Sequence, residues 1–142
     1  MVTRSLLAGA LGIMGLAVSA CTGSGTVSTS PPPVVVVEST GQLTVTWTVA
    51  GEASSDVCFD FAVDATELTV WDSSGRLVAD EFANCEDFAL TLELPVDTYQ
   101  ADLILVDVND NPVSTTLPLD DLRVTPDSEL VVDVDFPASS IF

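Results

Sequence analysis

Histidine and lysine are missing from this chain of 142 residues, and positive charge comes only from Arg4, Arg76 and Arg123. Without histidine there is no Ser-His-Asp triad, no Cys-His nucleophile pair and no histidine-ligated zinc. Set against 22 Asp and Glu, the three arginines leave a net charge of -19 at pH 7. Such a field repels phosphate backbones, so nucleic acid is excluded as a partner. Large aromatic rings are also scarce. Beyond Trp47, Trp71 and Tyr99 no cluster suggests a platform for sugars. Helical periodicity is lacking too, since no window sustains apolar residues at helical spacing. The length suits one domain.

Long apolar stretches are confined to the start. Residues 1–21 read MVTRSLLAGALGIMGLAVSAC, with Arg4 before an uncharged run from Leu6 to Ala20. At 1.5 Å per residue that run spans about 22 Å as a helix, short of a ~30 Å hydrocarbon core. A positive start, a short apolar centre and small residues at the end describe a secretory signal peptide over 1–20.

Val18-Ser19-Ala20-Cys21 resembles the lipobox of bacterial lipoproteins: an aliphatic residue, two small residues, then cysteine. The resemblance implies cleavage before Cys21. It also implies a thioether from the Cys21 thiol to diacylglycerol, with further acylation, palmitate included, at the new amino terminus. Each buried methylene adds about 0.8 kcal/mol, so two or three chains hold a small domain on a membrane without a spanning helix. Thr22 follows where Asp often marks inner-membrane retention. By that analogy the destination is the outer membrane, on its periplasmic face or at the cell surface.

Residues 21–40 form a Thr/Ser/Gly/Pro tether, with TGSGTVSTSPPP at its heart. It has too little apolar surface to offset its ordering entropy. The β-branched run Val34 to Val37 favours a short extended segment before the domain.

From residue 41 to 142 the pattern alternates with period two, as half-buried strands do. Leu43, Val45, Trp47 and Val49 share one face of Gln42–Val49, and Thr44, Thr46 and Thr48 the other. Thr66–Trp71 turns Leu68 and Val70 inward and Trp71 outward. Asp72-Ser73-Ser74-Gly75 is a turn in which Gly75 supplies a positive φ. Arg76–Phe82 reads as an edge strand, because Asp80 interrupts its apolar face. Phe88–Leu94, Tyr99–Asp107 and Glu129–Phe136 alternate clearly. A further strand lies within Val113–Leu117, broken by Pro118 and resumed at Leu122–Val124. These elements predict an all-β chain: a single antiparallel β-sandwich of about seven strands. Acidic residues on the wet faces discourage edge-to-edge aggregation.

Leu94-Pro95-Val96-Asp97-Thr98-Tyr99 resembles the Leu-Pro-x-Gly-x-Tyr step of Ig-like and transthyretin-like bacterial modules. Asp107–Val113 is similar to their Asp-x-x-Gly-x-Pro hairpin. Asp97 and Asp110 stand where glycine is usual, and Asp tolerates left-handed backbone better than most residues. The resemblance implies the fold, with Tyr99 packed on the preceding corner, and no function. The wider layout is similar to small uncharacterised bacterial lipoproteins.

With Cys21 assigned to lipid, Cys58 and Cys85 remain. Outside the cytoplasm such a pair oxidises, and closing the loop between them stabilises the fold by roughly 3–4 kcal/mol in the chain-entropy model. There is no CxxC and no nearby cation to activate a thiol. Asp107-Val108-Asn109-Asp110-Asn111-Pro112 resembles the calcium string of cadherins, with proline following the last Asn directly. Asp107, Asn109, Asp110 and Asn111 are oxygen donors suited to calcium. Asp, Asn and Pro are equally turn formers, so a plain hairpin turn is the competing reading. Position six of an EF-hand count falls on Pro112 instead of glycine, which excludes that motif. Asp120-Asp121 and Glu86-Asp87 read as solvated loop charge.

No catalytic constellation emerges, and no cofactor is expected beyond calcium. The sequence therefore predicts a membrane-anchored, extracytoplasmic, non-catalytic binding or structural module. Its partner would be another envelope protein or a surface polymer. A calcium-dependent adhesion module is the alternative, and a cell-envelope hydrolase working through paired carboxylates is a third. Adaptation to a salty habitat would also account for the acidity.

Overall fold

The computed structural model describes residues 38–142. The expected signal peptide, Cys21, the tether up to residue 37 and the Val34–Val37 segment lie outside the described residues. Seven strands form: β1 (Thr40–Val49), β2 (Ala65–Trp71), β3 (Leu77–Asn84), β4 (Ala89–Pro95), β5 (Asp97–Val106), β6 (Leu117–Val124) and β7 (Glu129–Phe136). They make two sheets, one ordered β4-β1-β7 and the other β3-β2-β5-β6.

The alternation seen in the sequence becomes the core. Leu43, Val45, Trp47 and Val49 of β1 meet Leu68 and Val70 of β2 and Leu103 and Leu105 of β5, all buried. Each such aliphatic side chain contributes about 1.5–3 kcal/mol on leaving water. Trp47 is buried and Trp71 only half-buried on the outer face, as the register required. Gly75 has φ +80° in the β2–β3 turn. At Gly41 a Cβ would lie 2.3 Å from the carbonyl oxygen of Thr125, because the β6–β7 turn crosses the start of β1 there.

Four features depart from the sequence reading. The sandwich is not wholly antiparallel: β1 pairs with β7 in parallel, Gln42 opposite Glu129 through Val49 opposite Phe136. Alternation selects a strand's face but says nothing of its direction, and the whole intervening chain serves as the long connection that parallel pairing needs. Secondly, Pro118 does not break a strand. β6 runs through it because β6 lies at the edge of its sheet, where one row of N–H groups needs no partner. Val113–Thr116 holds only one isolated bridge, Ser114 to Ile141, before it. Thirdly, Asp120-Asp121 lies inside β6, as a bulge where Gln100 faces two residues and Asp121 has φ +56°. Fourthly, a short helix, α1 (Ser55–Asp60), and a 3-10 turn at Cys85–Asp87 occupy the β1–β2 and β3–β4 connections, two of the four that cross between sheets. Phe88 closes that turn with φ +50° instead of opening β4.

The two ends of the sandwich carry different loops. β1 begins at the end that holds the β2–β3, β4–β5 and β6–β7 connections; Val96 N–H donates to Ser39 and Asp127 N–H to Thr40 there. Ten extended residues later, about 30 Å away, β1 delivers the chain to α1. The Cys85 turn and the β5–β6 loop share this far end. Among the described residues no helix is long and apolar enough to cross a membrane.

Candidate functional site

Three groups of residues are candidates from sequence: Cys21, which lies outside the described residues, the pair Cys58 and Cys85, and the Asp107 loop. The structure gathers two of them, the cysteines and the Asp107 loop, at the far end. Cys58 of α1 and Cys85 of the 3-10 turn form a disulfide with a Cα–Cα separation of 6.0 Å. It ties the β1–β2 crossing to the β3–β4 crossing. Val57 and Cys58 are the helix residues that turn inward. Trp47 Nε1–H donates to the Cys85 carbonyl at 3.2 Å, and Cys85 N–H donates to Asp64 at 2.9 Å. The bridge, the indole and the start of β2 thus form one buried cluster.

Asp107, Asn109, Asp110 and Asn111 occupy one turn, joining β5 to the Pro112 bridge. The Asp107 carboxylate faces its own loop. Its Oδ1 accepts the N–H of Asn109 at 2.8 Å and of Asn111 at 3.0 Å, and both oxygens receive the Asn111 amide at 3.2 Å. Those donors, the Asn111 backbone first, hold its pKa below the usual carboxylate value. Asp110 adopts φ +60°, the conformation for which glycine is usual. This is the geometry of an Asx turn. Among the described residues no group of three or more acids and cysteines is placed to hold a metal ion.

Near the other end, Asp72 closes the β2–β3 turn. Its Oδ1 accepts the Ser74 hydroxyl at 2.6 Å and the N–H groups of Ser74 and Arg76 at 3.0 Å each, while Oδ2 pairs with the Arg76 guanidinium at 3.0 Å. The Ser74 hydroxyl, followed by the Arg76 backbone, brings the Asp72 pKa down to about 2. A carboxylate depressed in the fold stabilises fully above its unfolded pKa, and that stability is lost as pH falls through the folded value. Asp72→Asn should therefore melt below the parent at pH 5, with the gap closing as pH approaches 2. Paired melting curves check this, and a gap independent of pH would refute it. The comparison cancels the general gain in stability as other exposed acids protonate.

The turn beside Asp72 also carries the expected aromatic corner. Tyr99 is buried, and its hydroxyl donates to the Pro95 carbonyl at 2.7 Å. Such a bond back to the preceding corner is characteristic of Greek-key sandwiches. Asp97 keeps a negative φ in this corner; its carboxylate accepts Thr98 N–H at 2.7 Å and the Ser73 hydroxyl at 3.0 Å.

Two arrangements escaped the sequence reading. On the wet face of the three-stranded sheet, β1 threonines donate to acids of both neighbours. Thr40 reaches Glu93 at 2.7 Å, Thr44 reaches Glu129 at 2.6 Å, Thr48 reaches Asp135 at 2.7 Å, and Thr46 bonds Asp133. The Thr-x-Thr-x-Thr row and the acids were both visible; only the strand order shows that they alternate in space. On the other sheet, Glu67 lies on the same face as Asp80. Partial burial and the Asp80 charge raise its pKa. The second omission is Phe59, 86% exposed on α1. It lies between a hollow lined by Ala62, Val63 and Val108 and another lined by Asn84, Glu86 and Asp87. A lone phenylalanine in an acidic loop gave no periodic cue.

No protein-family model matches the chain, and no curated protein matches it. Among solved structures, the chain is similar to part of a leucine-rich repeat protein from Bacteroides thetaiotaomicron VPI-5482. The identity is 17% over 70% of this chain and 12% of that one, with a TM-score of 0.47. Similarity to the Bacillus anthracis TIE protein has a TM-score of 0.43 and 14% identity, over 69% of this chain and 18% of that one. A third match is a Bacteroides thetaiotaomicron protein described as a candidate polysaccharide-binding protein. Its TM-score is 0.42 at 13% identity, over 66% of this chain and 46% of that one. In each case the chain spans less than half of the solved structure it resembles.

Proposed function

We propose that this chain is a lipid-anchored, extracytoplasmic binding or structural module, attached to the membrane through Cys21. The observation that carries the reading is the Cys58–Cys85 bridge. Disulfides persist in oxidising compartments, and export is what a signal peptide ending in a lipobox would provide. The remaining cysteine, Cys21, is then the lipobox cysteine. The acids of the domain lie on open sheet faces and in turns, which suits a charged contact surface better than proton transfer to a substrate. Thr22 favours the outer membrane as the destination. The partner is another envelope protein or a surface polymer.

Cys21→Ser should abolish incorporation of labelled palmitate and move the protein from the membrane fraction to the soluble fraction after a high-salt wash. If the Ser variant stays with membranes, anchoring through Cys21 is wrong.

A further inference from the structure

We propose that the far end of the sandwich is a docking surface for a basic polypeptide segment that inserts an apolar side chain beside Phe59, an inference that rests on the binding-module reading above. Phe59 and Val108 are 86% and 77% exposed, two of the three most exposed large hydrophobic residues among the described residues. They flank a hollow of about 500 Å³ floored by Cys58, Ala62 and Val63. The buried disulfide and the Trp47 cluster lie beneath, so the floor is rigid. On the other side of Phe59, Asn84, Glu86 and Asp87 line an acidic hollow.

Charge identifies the occupant. Asp56, Asp60, Asp64, Glu86, Asp87 and Asp107 all belong to this end. The two described arginines lie at the opposite end: Arg76 closes the β2–β3 turn, and Arg123 pairs with Thr98 at the start of β5. The far end is therefore apolar at its centre, acidic around it, and without a positive side chain among the described residues. An apolar centre inside a charged rim is the anatomy of a protein interface, and opposite charge steers the encounter. A second copy of this chain would bring the same acids against them. A basic segment with an aliphatic or aromatic residue satisfies both the hollow and the rim. The placement also suits a tethered module: the far end lies a full strand length, about 30 Å, from the point where the chain enters β1.

The test uses the whole chain in a mild non-ionic detergent and three octapeptide probes: alternating Lys and Leu, alternating Lys and Ser, and alternating Glu and Leu. Binding is followed by amide NMR shifts and by titration at two salt concentrations. The Lys/Leu peptide should shift amides of residues 57–64, 84–87 and 107–110, and bind at least tenfold more tightly than either other probe. Phe59→Ser should weaken it tenfold or more; the side chain stands in water, so the melting temperature should hold. Glu86→Gln with Asp87→Asn should weaken binding severalfold and flatten its salt dependence. Val131→Ser, an exposed apolar position on the acidic three-stranded face, should change nothing. No binding at millimolar peptide, equal binding of Lys/Ser, a Phe59→Ser effect under twofold, or shifts centred on Asp133 and Asp135 would each overturn the proposal. None of these outcomes touches lipid attachment, which the Cys21→Ser experiment decides separately.

Discussion

Trp47→Ala should lower the unfolding free energy by about 3–5 kcal/mol, the usual cost of emptying a buried large aromatic site. The indole is 2% exposed and lies between the sheets, under the disulfide. β1 is the central strand of its sheet, so its neighbours on both sides are fixed by ladders and cannot collapse into the space. The loss is a large share of the 5–15 kcal/mol or so that holds a typical domain together. Trp47→Phe separates the contributions. It keeps most of the apolar contact and removes the N–H donor to Cys85. That carbonyl also accepts Phe88 N–H at 3.3 Å, so it is not orphaned. The Phe variant should therefore cost less, about 1–3 kcal/mol: about 1 kcal/mol for the hydrogen bond and the rest for the smaller void left by the missing part of the indole. Urea titrations at a fixed, high salt concentration would measure both variants with the self-repulsion of the acids held constant. A Trp47→Ala cost under 1 kcal/mol would mean that the β1 face is wrongly assigned.

Removing the bridge should have an effect of similar size. Cys58→Ala combined with Cys85→Ala frees a loop with a sequence separation of 27 residues, for which the chain-entropy model gives roughly 3–4 kcal/mol. The double variant is preferable to a single one because it leaves no stray thiol. The bridge also braces the wall beneath Phe59, so its loss should loosen α1 before it loosens the sheets. Hydrogen exchange would show this as faster exchange at Val57 to Val63, with amides of β1 and β5 protected until global unfolding. Mass mapping under non-reducing conditions should find Cys58 linked to Cys85. Free thiols at both positions in native, exported protein would refute the bridge. Trp47 contacts Cys85 directly, so the Trp47→Ala and double-cysteine effects should not simply add.

Six of the seven expected strands were located to within a few residues by period-two alternation, because side chains on an extended backbone alternate faces whatever the strand pairs with; β6 was the exception. Leu43 to Val49 and Leu130 to Phe136 announced their inner faces in this way. The Asp72 to Gly75 turn was legible from turn chemistry, which is also local, and the Leu94 to Tyr99 corner from its resemblance to the Leu-Pro-x-Gly-x-Tyr step. The cysteine pairing followed from there being one pair left after Cys21.

Tertiary structure alone decided the rest. Gln42 meets Glu129 in a parallel ladder, and no local pattern in either segment encodes a partner so far along the chain. Pro118 sits within β6 because that strand lies at a sheet edge, and edge position is a property of the sheet. The threonine hydroxyls of β1 bond acids of β4 and β7 because strand order places those strands on either side. Phe59, Val108 and the acids near them come together because the β1–β2 and β3–β4 crossings and the β5–β6 loop lie at one end of the sandwich. Local alternation determined which residues face inward, since that requires only an extended backbone; which strands are neighbours, and what gathers at each end, depended on how two sheets close over a shared core.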